Sequence, residues 1–292
     1  MSRLLGRSRP GLLVIPLVLS VLVAGCGAGQ ASGEGSLPGS SAAPGSSASE
    51  RTLTVLAAAS LTEPFTVLAD RFEAAHPGVE VTVSFGSSAA LATQAVNGVP
   101  ADVFASASMT TMDTVIDAGA ARVPEEAAAD PTAMVFAVNA LEIAVPPDNP
   151  AAVRSVSDLD RPGVRLALCQ PEAPCGAAAE VVARRNGLDW HPVTLESDVK
   201  ATLAKVILGE VDAALVYRTD VRAAGDAVLG VEIPPESNAT TDYPVLTLAD
   251  SQNPSLAADF VTYVHSAEAA DVLAEAGFAP APRSAATAAT GS

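Results

Sequence analysis

From Leu53 onward the apolar residues keep two alternating periods. "LTVLAA" (53–58) is a short apolar run of strand length, and "VEVTVSF" (79–85) places apolar residues at every second position. Between them, Phe65, Leu68, Phe72 and Ala75 recur at helical spacing in "EPFTVLADRFEAAH", with Thr62 placed as an N-cap. The alternation continues. "SSAALATQAVNG" predicts a helix closed by Gly98, "ADVFAS" a strand, and "MTTMDTVIDAG" a helix. Strand and helix in turn argue for a parallel α/β sheet.

At Pro131 the pattern changes. "TAMVFAV" and "LEIAVP" read as two extended runs with little helix between them. A second α/β series follows. Its strands are "VRLALC", "HPVTL", "DAALVY" and "AVLGVEIP", and its helices are "CGAAAEVVARRNG" and "SDVKATLAKVILG". After "TDYPVLTLAD" come two helices, "PSLAADFVTYVHS" and "AEAADVLAEAG". The strands near Val135 and Val245 are placed to cross between the two units. The expected organisation is a lobe from 52–132, a second lobe from 133–243, and a return to the first over 244–283. A cleft would lie between lobes joined by a two-segment hinge. An Ala/Ser/Thr/Gly tail, 284–292, reads as disordered.

The first 51 residues do not share this pattern. Arg3, Arg7 and Arg9 precede an apolar run, Leu12 to Val23, too short for a transmembrane helix. This reads as an export signal over 1–25. Its end, Val23-Ala24-Gly25-Cys26, resembles a bacterial lipobox, in which Cys26 is lipidated and becomes the mature N-terminus. The Gly/Ser/Ala/Pro-rich stretch from 26–51 cannot bury enough apolar area to fold and reads as a tether. Its r.m.s. reach is about 25–30 Å. The expected location is extracytoplasmic, anchored to the cell membrane through this lipid.

Charge narrows the partners. The chain carries 16 Lys+Arg against 33 Asp+Glu. Removing the three signal arginines leaves 13 cations, a net −20. Such a body repels nucleic acid and acidic lipid. Two cysteines remain after Cys26, namely Cys169 and Cys175 in "LCQPEAPCG". In an exported protein this spacing reads as a local disulfide. Zinc sites want four ligands, and no His or further Cys lies nearby.

Candidate chemistry collects at strand ends, where open α/β sheets bind ligands. The first strand ends at Ala59-Ser60 and the second at Gly86-Ser87-Ser88. In the second unit the corresponding places are Pro174-Cys175-Gly176, Glu196-Ser197-Asp198-Val199 and Tyr217. Ser60, Ser88 and Tyr217 bring hydroxyls. Cys175 and Val199 stand at helix starts, whose first N–H groups have no intrahelical partner and favour anions. Taken singly, Ser60 and Ser88 also read as N-caps and Tyr217 as a core tyrosine. Their joint placement points to an anion site built without Lys or Arg.

The set "LTVLAAASLTEPF", "FGSSAALATQ", "PADVFASAS", "PCGAAAE", "SDVKATLAKVILGEVDAALVY" and "YPVLTLAD", in this order, resembles the molybdate-binding proteins of ABC transporters. The resemblance spans about Leu53 to Ala279. It implies the type II periplasmic-binding fold, α/β, with two lobes closing on a tetrahedral oxyanion, here molybdate or tungstate. It also implies an ABC permease and its ATPase as partners, a monomeric body and no cofactor. Carried over residue by residue, the ligand groups are the hydroxyl and N–H of Ser60 and of Ser88, the N–H of Cys175, the N–H of Val199 and the hydroxyl of Tyr217. The metal atom would be held through its oxygens, without direct coordination. The cysteine pair departs from some members, but a backbone donor tolerates a changed side chain.

Other readings stay open at this point. Another oxyanion, such as sulfate, fits the same fold. A serine hydrolase would need a base beside Ser60; His76 precedes a Pro-Gly turn, His265 lies late in a helix, His191 precedes a proline in the second unit, none is at a strand end with Ser60, and there is no G-x-S-x-G elbow. Ferric binders pair tyrosines, and Tyr217, Tyr243 and Tyr263 are scattered along the chain.

Overall fold

The computed structural model describes residues 51–282. The export signal, Cys26, the tether to Glu50 and the tail 284–292 lie outside the described residues.

The chain opens with β1 (Arg51–Ala58), α1 (Thr62–Ala75), β2 (Val79–Gly86), α2 (Ser88–Val96), β3 (Val103–Ala105), α3 (Met109–Asp117), β4 (Ala121–Arg122) and α4 (Glu125–Ala129). A long strand, β5 (Val135–Val145), leads to β6 (Leu166–Cys169), α5 (Pro174–Asn186), β7 (Thr194–Glu196), α6 (Val199–Ile207), β8 (Ala213–Tyr217), α7 (Arg218–Ala224) and β9 (Leu229–Glu232). A second long strand, β10 (Thr240–Leu248), returns to α8 (Pro254–Val264), α9 (Ala267–Ala276) and β11 (Ala279–Pro280).

The strands run in the order β2-β1-β3-β10-β5-β8-β6-β7. At either end the pairing is parallel, β1 with β2 and β3, and β6 with β7 and β8. The middle is antiparallel. β10 pairs with β3 through Val245–Thr247 and with β5 through Thr240–Pro244. β5 pairs with β10 over its first half and with β8 from Leu141 to Ala144. The two long strands therefore cross from one half of the molecule to the other. The sheet is mixed, and the helical connections account for its parallel parts alone.

Two sequence expectations are corrected here. "TAMVFAV" and "LEIAVP" are not separate runs. Met134 closes a 3-10 turn, and Val135–Val145 is one continuous strand. The apparent break is Asn139, whose polarity interrupts the apolar pattern although the residue is only 1% exposed. Thr62 is not the N-cap of α1. A 3-10 turn, Ala59–Leu61, runs directly into the helix, and Thr62 is its first residue, its hydroxyl donating to the Ala59 carbonyl at 2.7 Å.

Each half has its own apolar core. In the first half, Leu53, Val55, Phe65, Leu68 and Phe72 pack with Phe260, Leu273 and Phe278, so the C-terminal helices complete the core that β1 begins. In the second, Ile143, Leu166, Val182, Leu203 and Leu215 cluster around β6 and β8. Ala59 packs into this second core, which brings the end of β1 against the other half.

Candidate functional site

All five residues picked out at strand ends line one small cavity, together with Ala58, Ala59, Gly86, Ser87, Ala107, Ala173, Pro174 and Asp198. The centres of water-sized spheres have about 20 Å³ to occupy there, room for a ligand of a few atoms. No Lys, Arg or His is among the lining residues.

The first half contributes two serines. Ser88 is the first residue of α2, after the N-cap residue Ser87. Its hydroxyl does not cap the helix. It accepts the Ala107 N–H at 3.0 Å. A backbone N–H only donates, so the Ser88 proton is left for another acceptor. Ser60 sits in the 3-10 turn at the end of β1, 2% exposed, its Oγ 2.8 Å from the Tyr243 hydroxyl. Neither serine is an N-cap.

The second half contributes two helix starts. Pro174 begins α5 and has no N–H, so Cys175 supplies the first N–H of that helix. A disulfide joins Cys175 to Cys169 at the end of β6, with Cα atoms 5.8 Å apart. The following Gly176 leaves no room for a side chain, since a Cβ there would collide with the backbone carbonyl of Gln170. Disulfide and glycine together hold the loop flat against the helix start. Val199 opens α6, whose N-cap is Asp198. Asp198 lines the cavity, but its carboxylate is engaged elsewhere, accepting the Ala201 N–H at 3.0 Å and the Ser197 hydroxyl at 3.1 Å.

Tyr217 ends β8 and is 1% exposed. Its hydroxyl is buried without a hydrogen-bond partner. Burial pushes the phenol well above its ordinary pKa, and the nearby Thr241 and Tyr243 hydroxyls offset only part of this. The group stays protonated at neutral pH. A buried, unpaired hydroxyl costs about 1–3 kcal/mol; the Thr241 hydroxyl, likewise unpaired, lies near that of Tyr217, whose place on the cavity wall also leaves it open to an acceptor in the cavity.

Several supporting residues are not evident from the sequence. Tyr217 and Tyr243, 26 positions apart in sequence, meet with ring centroids 6.0 Å apart and so are not scattered in space. Asp220, fully buried, accepts the Tyr217 backbone N–H at 3.2 Å and lies 3.2 Å from the Lys200 ammonium. Burial raises its pKa to about 6, against the pull of Lys200. Lys200 also contacts both carboxylate oxygens of Glu63, at 2.7 and 2.8 Å.

Two lobes, two crossing strands and a cavity of hydrogen-bond donors define a ligand-capturing protein of the two-lobed periplasmic-binding class. The chain belongs to the family of bacterial extracellular solute-binding proteins, whose pattern matches residues 53–279. It is 39% identical to the molybdate-binding protein ModA of Mycobacterium tuberculosis over 229 residues, 78% of this chain and 85% of that protein. It is 29% identical to a putative ABC transporter substrate-binding lipoprotein, YvgL, of Bacillus subtilis, over 91% of this chain and 96% of that protein. Among solved structures, the sulfate-binding protein SubI of Mycobacterium tuberculosis superposes with a TM-score of 0.71 at 22% identity, covering 82% of this chain and 89% of that one. The last comparison speaks to the fold.

Proposed function

We propose that this protein is the extracytoplasmic substrate-binding component of an ABC importer and that it captures molybdate, and tungstate with it, as the intact dianion. One observation carries the reading: the hydroxyls of Ser60, Ser88 and Tyr217 and the helix starts at Cys175 and Val199 line a single cation-free cavity, with the Tyr217 hydroxyl unpaired. The identity to a molybdate-binding protein supports the choice of anion. A dianion with four oxygens offers acceptors only, and this wall offers donors. Helix N-termini contribute positive potential without a mobile cation.

Capture needs binding, not bond chemistry. The Ser60 hydroxyl meets a tyrosine hydroxyl, and no histidine lines the cavity to act as a base. A sulfate-specific site of the same fold is the rival reading. At the N-terminus, the "VAGC" stretch and the following tether support a lipid on Cys26. In that case Cys26→Ser, with the signal still cleaved, leaves the membrane fraction. Permease and ATPase would then receive the ligand from a body held near the membrane.

A thermal-shift panel on the chain from residue 27 tests the anion. A ligand at a hundred times its dissociation constant stabilises by about 2.7 kcal/mol. Molybdate and tungstate should raise the melting temperature strongly, sulfate weakly, and phosphate not at all at millimolar levels. Phosphate keeps a proton at neutral pH, and the one carboxylate on the wall, Asp198, already accepts from the Ala201 N–H and the Ser197 hydroxyl. Phosphate binding as tight as molybdate, or a preference for sulfate, defeats the reading.

A further inference from the structure

The Ser60 hydroxyl has a hydrogen-bond partner outside the cavity lining, Tyr243. Asn139 and Tyr243 lie on β5 and β10, the strands that cross between the lobes, and are 1% and 0% exposed. Asn139 Oδ1 accepts the Ala140 N–H at 3.0 Å. Because a backbone N–H cannot accept, the atom facing it must be the amide oxygen, and the amide nitrogen must face the other way. There it donates to Thr219 Oγ1 at 2.9 Å and to Tyr243 Oη at 3.4 Å. Tyr243 Oη, receiving that proton, has its own to give, and Ser60 Oγ stands 2.8 Å away. Either hydroxyl can donate across this contact; in the direction in which Tyr243 donates, Ser60 Oγ accepts and its own proton is free for the cavity. Burial keeps the Tyr243 phenol protonated, well above its ordinary value. The backbone thus fixes the Asn139 amide, and the amide proton on Tyr243 Oη favours the chain running on from Tyr243 to Ser60.

Resting on the oxyanion reading above, we infer that Asn139 and Tyr243 are positioning residues that lock Ser60 as a donor toward the ligand and so deny an acceptor to a protonated oxyanion. Neither lines the cavity. The hydrogen-bonded route from Asn139 and Tyr243 to the cavity runs through Ser60, while the Tyr243 ring also packs against Tyr217, 6.0 Å between centroids. Removing the Tyr243 hydroxyl leaves the serine free to turn its proton back, while the ring keeps its packing against Phe278, 5.1 Å between centroids, and against Phe136.

A double-mutant cycle separates this role from a structural one. Molybdate is titrated by calorimetry into the chain from residue 27 as wild type, Ser60→Ala, Tyr243→Phe and the double variant, each checked by melting. Tyr243→Phe should weaken molybdate about fivefold, the worth of one ordinary hydrogen bond. In the Ser60→Ala background the same change should do nothing beyond about twofold. Phosphate should displace molybdate from Tyr243→Phe at lower concentration than from wild type. Asn139→Ala is the second route should Tyr243→Phe not fold, with a smaller loss that also vanishes once Ser60 is alanine. Equal affinity of Tyr243→Phe and wild type, or losses that multiply in the double variant, overturn the inference. If the wild type binds no molybdate, the function reading fails first and this inference falls with it.

Discussion

The two sides of the cavity present their polar groups by different means. On the first-lobe side the donors are serine hydroxyls whose oxygens already have partners, Ala107 N–H for Ser88 and Tyr243 for Ser60. On the second-lobe side the donors are helix starts and one hydroxyl, that of Tyr217, which makes no well-formed hydrogen bond although the Thr241 and Tyr243 hydroxyls lie near it. On one side each hydroxyl already has a partner within the protein before any ligand arrives. The other carries an unmet need. On the oxyanion reading, such a division would suit a protein that both holds and releases, with the second lobe gaining most on closure.

The sharpest break of this contrast is Tyr217→Phe. The substitution removes the unpaired hydroxyl and keeps the ring. A hydrogen bond to a charged group is worth about 1.5–3 kcal/mol, so molybdate affinity should fall roughly 10- to 150-fold. The unliganded variant should melt no lower than wild type, since a buried group without a partner has been taken away. Calorimetry and a melt on the same sample read both. An unchanged dissociation constant removes Tyr217 from the site, and a lower melting temperature removes the claim of unmet need.

A smaller effect concerns the support beneath Tyr217. Asp220 is fully buried and its pKa is raised to about 6 from an ordinary 3.8. Between these values the folded protein binds more protons than the unfolded chain, so this group's contribution to stability falls as pH rises. The contribution is fully present below about pH 4 and is lost through pH 6. Between pH 4.5 and pH 7 the stability of wild type relative to Asp220→Asn should drop by about 2 kcal/mol. Urea unfolding of both proteins at the two pH values gives the number. A difference that stays constant with pH means that Asp220 titrates as an ordinary carboxylate.

How much of this was readable before the fold was known depends on the range of the interaction. Ser60, Ser88, Cys175, Val199 and Tyr217 are legible because they follow a local rule, the end of a strand or the start of a helix. Tyr243 and Asn139 are not, because the register that joins β5 to β10 spans about a hundred positions of sequence. Asn139 in fact misled, breaking an apolar run that the fold keeps whole. The misplaced cap at Thr62 has a similar cause. The 3-10 turn that precedes the helix holds Ser60, whose hydroxyl meets Tyr243 on a distant strand, a contact that local sequence does not reveal. Gly176 was visible as a glycine, but the carbonyl it must clear belongs to the disulfide loop before it. The lone polar residue inside an apolar strand pattern was the one available signal for the buried chain.

The smallest expected effect lies where the two sides are tied together. Lys200, next to Val199, bonds both oxygens of Glu63 on α1 and also faces Asp220. The Glu63 contact joins the lobes beside the cavity, in the arrangement that encloses it. Lys200 and Glu63 remain 28% and 49% exposed at their side chains, so solvent screens the pair. Pairs of this exposure are worth about 0.2–1 kcal/mol. Glu63→Gln keeps the shape and removes the charge. It should weaken molybdate by less than about fivefold, and the loss should appear in the release rate, because the bond exists only when the lobes meet. High salt should shrink the gap between variant and wild type, since screening weakens the native pair and leaves the glutamine untouched. Stopped-flow release of molybdate at low and high salt measures this. Equal release rates at low salt would mean that the contact holds nothing closed, and the second lobe would then close on its donors alone.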